Sequence, residues 1–113
     1  MSARLASGLI VNALIRRVNA EGGSAMVLAK GDAEAGAILV LTLDRGDDPR
    51  FFERGLGPDG KAALVRSGPL QFDDPGAVGD YWQRRRSRDP DLWVLELDIA
   101  SAERFAAETI IGA

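Results

Sequence analysis

Two residue types that carry much active-site chemistry are both missing from this chain, whose 113 residues include no His and no Cys. Without His it lacks the commonest general base near neutral pH and the commonest metal ligand. Without Cys it lacks disulfides, thiolate nucleophiles and thiolate zinc sites. Any chemistry would fall to carboxylates, Arg, Lys, Ser or Tyr. A disulfide-free chain suits a reducing compartment, and the cytoplasm is the expected location. Long apolar runs are also absent. Leu9 to Ile15 is broken by Asn12 and closed by Arg16 and Arg17, well short of the roughly 20 apolar residues that span a bilayer core of about 30 Å. No small-residue cleavage site follows it, so neither a membrane anchor nor a signal peptide is expected. Lys is scarce beside Arg, and the net charge of -3 favours neither nucleic acid nor an acidic partner.

The remaining composition, 46% hydrophobic over 113 residues, suits one compact domain spanning 1–113. From Arg4 to about Glu21 helix formers run without Pro until Gly22-Gly23 stops them. On a helical projection Leu9, Ile10, Val11, Leu14, Ile15 and Val18 sweep about two-thirds of the circumference. One sheet face cannot cover so wide an arc, so a second element or a partner must pack on the far side. Arg17 lies within that sweep and should snorkel or pair with a carboxylate, for which Glu96 or Asp98 is available.

Ser24 to Lys30 and Gly36 to Asp44 read as strands, the second a central strand buried on both faces. Gly46-Asp47-Asp48-Pro49 and Pro58-Asp59-Gly60 are turn chemistry around strands at Arg50 to Arg54 and Lys61 to Arg66. Asp74 before Pro75 opens a helix carrying Val78, Tyr81 and Trp82, which ends near Arg88 before Asp89-Pro90. A last strand over Leu92 to Asp98 and a C-terminal helix from Ser101 complete the order αββββαβα. The expected fold is α+β, with a mainly antiparallel sheet of about five strands packed against helices.

Gly55 to Ala62 imitates a phosphate-binding loop, but Ala62 lacks the magnesium-binding hydroxyl and Asp59 would repel the phosphate, so it reads as a hairpin turn. The acid pairs Asp32/Glu34, Asp47/Asp48, Asp73/Asp74, Asp89/Asp91 and Glu96/Asp98 fit turns, caps or a wet strand face better than a calcium loop or an acid–base couple. No metal or cofactor is expected. Arg84, Arg85, Arg86 and Arg88 form the one dense basic cluster, where Arg84, Arg85 and Arg88 are the candidate phosphate contacts and Tyr81 and Trp82 could stack on bases. The macrodipole equally favours cations at a helix C-terminus. Trp93 alternates with Leu95 and Leu97 as a core aromatic, or serves as an interface anchor. Phe51 and Phe52 point to opposite strand faces, so one of them should be exposed or covered by a partner.

Two stretches, Lys30-Gly31-Asp32-Ala33-Glu34-Ala35-Gly36-Ala37-Ile38-Leu39-Val40 and Arg88-Asp89-Pro90-Asp91-Leu92-Trp93-Val94-Leu95-Glu96-Leu97-Asp98, carry a resemblance that extends to Arg16-Arg17 and to Tyr81 through Arg86. In them the chain resembles the domain-of-unknown-function family 1491, known mainly from alphaproteobacteria. The resemblance implies a short stand-alone cytoplasmic protein with no assigned activity, so no catalytic or ligand residues carry over from it.

These observations favour a non-enzymatic interaction or assembly role, through self-association or another protein, with the first helix or an exposed strand edge in contact. The rival is nucleic-acid or phospholigand binding through Arg84 to Arg88. A carboxylate hydrolase would need two acids converging in a cleft. Under the assembly reading Leu14→Glu disrupts folding or assembly, and Arg85→Ala leaves both intact.

Overall fold

A computed structural model describes residues 5–112 of the chain. The elements are α1 (Ser7–Ala20), β1 (Ser24–Ala29), β2 (Ile38–Asp44), β3 (Asp47–Leu56), β4 (Ala62–Ser67), α2 (Pro75–Arg88), β5 (Trp93–Asp98) and α3 (Ala102–Ala106), which runs on into a π-helical turn over Ala107–Ile111. The expected order is found. Arg4, where the first helix was expected to begin, lies outside the described residues.

The sheet runs β1-β5-β2-β3-β4. Its β2, β3 and β4 form the expected antiparallel meander, but β5 inserts between β1 and β2, antiparallel to the first and parallel to the second. The sheet is therefore mixed. The loop from β1 to β2 must cross the start of β5, a constraint on which the site described below depends.

Helices cover both faces of the sheet. On one, Val11, Leu14 and Val18 of α1 meet Ile38, Val40, Trp93, Leu95 and Leu97, with Phe105 and Ile110 closing the layer. On the other, Val78, Tyr81 and Trp82 of α2 pack on Leu39, Leu41, Phe51 and Val94. Five successive residues of β2 are buried, as a central strand covered on both sides requires. The wide apolar arc of α1 is thus met by a second element, α3 and its π turn, which leaves Leu9 exposed. Both Phe51 and Phe52 are buried within this chain, correcting the expectation that one would be exposed or covered by a partner: Phe51 lies under α2, and Phe52 is paired with Val40 on the α1 face. Arg17 pairs with Glu108 at 2.6 Å and lies over the Phe105 ring, rather than meeting β5. Asp98 instead accepts from the Arg45 and Gly46 amides.

That contact explains where β3 begins. The hairpin turns at Arg45-Gly46, both at positive φ as a two-residue primed turn requires, so β3 starts at Asp47, earlier than turn composition suggested. The phosphate-loop mimic is indeed a hairpin: the Gly57 amide donates to the Lys61 carbonyl, and Asp59 Oδ1 accepts from the Lys61 amide. Asp74 caps α2 by accepting from the Ala77 amide.

Candidate functional site

The N-terminus of α1 has no side-chain cap, and Ala6 at the cap position cannot supply one. The β1–β2 loop supplies the acceptors instead. The Ser7 amide donates to the Glu34 carbonyl, the Gly8 amide to the Ala33 carbonyl, and the Ser7 hydroxyl to the Gly36 carbonyl at 2.6 Å. The loop is stiff because Asp32 holds it from within, its carboxylate accepting from the Glu34 and Ala35 amides. The chain entering β5 holds it from outside. The Asp32 amide donates to the Asp91 carbonyl, and the Trp93 indole N–H donates to the Asp32 carbonyl at 2.8 Å. Gly31 and Gly36 both lie so close to the Asp91 carbonyl that a Cβ at either would strike it. The two stretches that carry the sequence resemblance therefore meet in space, through their backbones.

This junction forms one wall of a cleft of about 350 Å³. Glu34, Ala35, Gly36 and Ala37 supply the wall, Ile10 and Ile110 the helical side, and Glu53 and Arg54 the β3 side. Ile38, Ser7 and Leu5 complete the lining. Of its charged residues, Glu53 is already neutralised. Arg85 donates both terminal nitrogens to it, at 2.7 and 2.9 Å, and also donates to the Tyr81 hydroxyl at 3.0 Å. The guanidinium holds the Glu53 carboxyl below its ordinary range against the opposing effect of burial, and the Arg85 pKa is raised in turn. Sequence reasoning missed Glu53 and Arg54, because strand alternation gives no hint of which loop a β3 side chain will meet.

The arginine cluster is divided by the fold. Arg85 is committed to Glu53, and Arg86 donates to the Lys30 carbonyl, tying α2 to the same β1–β2 loop. Arg84 and Arg88 lie exposed one helical turn apart, so phosphate binding by this helix would rest on those two. Trp93, at 6% exposure and with its N–H satisfied, belongs to the core and offers a partner almost no surface. Asp32, Asp74, Asp89 and Asp98 accept from turn or cap amides, Asp48 pairs with Arg50 and Glu96 lies within β5, and among the described residues no three acids gather where they could hold a metal ion.

The sheet has two free edges of different character. Edge strand β4 contains Arg66 and is touched by the π turn. Edge strand β1, Ser-Ala-Met-Val-Leu-Ala, contains no charge and no Pro, and Met26 and Val27 are exposed on it. Among the described residues no helix is long and apolar enough to cross a membrane.

Comparison with known proteins gives the family but no activity. No curated protein matches the chain. A crystal structure of a DUF1491 family protein from Caulobacter crescentus CB15 is 34% identical with a TM-score of 0.75, over 90% of this chain and 94% of that one. An NMR structure of a DUF1491 family protein from the same organism gives 33% and 0.75, over 92% and 94%. The solution structure of protein Atu0922 from A. tumefaciens is 28% identical with a TM-score of 0.67, over 96% and 93%. Residues 5–107 match the family model described as a protein of unknown function, and the chain belongs to that family, DUF1491.

Proposed function

We propose that this protein is a non-enzymatic assembly module that associates with a second copy of itself through the free edge of β1. The observation that carries this reading is the unprotected edge. Soluble proteins blunt such edges with Lys, Pro, charged side chains or a covering loop, and within β1 only a register shift between Val27 and Ala29 interrupts the ladder. Across a two-fold axis perpendicular to the sheet, antiparallel pairing preserves the faces, so two five-stranded sheets would continue as one. The flanking charges favour a second copy over an unrelated strand. Glu21 precedes β1 and Lys30 follows it, with no other charged residue between them. Antiparallel self-pairing therefore brings acid toward base at both ends.

Static light scattering at micromolar concentration should give the mass of a dimer. Met26→Lys places a charge on the exposed edge and should halve that mass, with the far-ultraviolet circular dichroism unchanged. A native protein that is monomeric throughout the range, or a Met26→Lys variant that remains dimeric, would defeat the reading.

A further inference from the structure

We propose that the cleft between α1, the β1–β2 loop and β3 binds a small aliphatic zwitterion, a free apolar amino acid or a short apolar peptide. Its size sets the first limit. Small-molecule sites span about 300–1,000 Å³, and about 350 Å³ lies at the bottom of that range. This is room for an amino acid or dipeptide rather than a nucleotide or a large cofactor. Among the described residues no aromatic side chain lines it, so they offer no stacking platform for a base.

Its chemistry sets the second limit. Ile10, Ile38 and Ile110, with Ala35 and Ala37, give branched aliphatic and methyl surface suited to an aliphatic side chain. Because Glu53 is neutralised by Arg85, among the described residues Glu34 is the remaining acid of the lining and Arg54 the remaining base. Neither forms an ion pair among the described residues. A simple fatty acid would satisfy Arg54 and leave Glu34 facing its carboxylate, and an amine would do the reverse. A zwitterion satisfies both, its carboxylate on Arg54 and its ammonium on Glu34. The Ser7 hydroxyl adds to the ammonium side, because its proton is already donated to the Gly36 carbonyl and only its lone pairs remain. The wall is preorganised by the Asp32 and Asp91 contacts, so little ordering cost falls on binding.

Titration of the full chain, followed by amide chemical shifts, tests this with four probes: L-leucine, the dipeptide Leu-Leu, 4-methylpentanoate and isoamylamine. Either zwitterion should saturate with shifts confined to Ser7, Gly36, Ala37 and Ile110, and whichever binds tighter identifies free amino acid or peptide as the natural class. The anion and the amine, each lacking one charge, should bind about tenfold more weakly. Arg54→Gln and Glu34→Gln, at exposed side chains, should each weaken the zwitterion about tenfold without changing the melting temperature. Absence of saturable shifts with both zwitterions would overturn the proposal. So would equal binding of a single-charge probe, or indifference to both substitutions. Dimer mass is read separately, so loss of one proposal leaves the other standing.

Discussion

The two faces of the sheet are held by different means. Under α1 the contact is apolar and closed: Val11, Leu14 and Val18 are fully buried, and the helix start is locked by loop carbonyls. Under α2 no residue of the helix is fully buried, and the face is closed by half-covered Val78, Tyr81 and Trp82 together with the Arg85–Glu53 pair. Aromatic contacts stiffen that second layer, with the Phe51 ring 4.7 Å from Tyr81 and 5.8 Å from Phe72 between centroids. A sheet buried on both sides can thus be stabilised by area on one face and by a few polar ties on the other. The polar face should be the one that responds to pH and salt.

The largest effect should come from the apolar face. Leu14→Glu puts a charge where no water reaches and should abolish cooperative unfolding, while Leu14→Ala should cost about 2–5 kcal/mol in denaturant melts. Next comes the junction. Gly36→Ala drives a Cβ into the Asp91 and Asp32 backbone and should cost about 3 kcal/mol, measured in the same way. On the polar face, Arg85→Ala strands a half-buried carboxylate and should cost about 1–3 kcal/mol, a fall in melting temperature on the order of 4 °C per kcal/mol. This reverses the sequence-based expectation that Arg85 is dispensable for folding. If Arg85→Ala proves costlier than Leu14→Ala, the contrast between the faces fails.

Acid sharpens the same contrast. The Glu53 carboxyl is held by Arg85 below its ordinary value of 4.5. Its contribution to stability is therefore complete above that pH and is lost as pH falls through the lower, folded-state value. Glu108 shifts the same way beside Arg17, but it is exposed and should matter little. Glu53→Gln should lower stability at neutral pH and flatten its acid dependence, so an unchanged acid limb in pH-dependent melts would remove Glu53 as its source. The smallest effect is expected at Arg17→Ala, which breaks an exposed pair with Glu108 that water screens, measured by thermal melting.

Local chemistry was enough to place most elements from sequence. Asp74-Pro75 starts α2 where capping and fixed φ dictate, and Pro58-Asp59-Gly60 turns the chain as turn preferences require. The run Ala37 to Leu43 announced a strand covered on both faces, and within it Ile38 to Thr42 are buried. Trp93 sat in the core, one of the two places its alternation allowed. The β3 start was misplaced because Asp98, more than fifty residues away in sequence, draws the turn back to Arg45-Gly46.

The cleft and the ion pairs had no such local signal. Nothing near Glu53 indicates that Arg85 will reach it from α2, nor anything near Arg54 that Glu34 will share its cleft. Apolar periodicity made the wide arc of α1 legible, but α3 and its π turn, folded back from the far end of the chain, determined what would cover it. The sequence by itself determined the elements, their order and the buried faces, because turns, caps and alternation act over a few residues. Tertiary structure alone decided the insertion of β5 between β1 and β2, the partners of the charged residues and the shape of the cleft, because those depend on which distant segments the sheet order brings together.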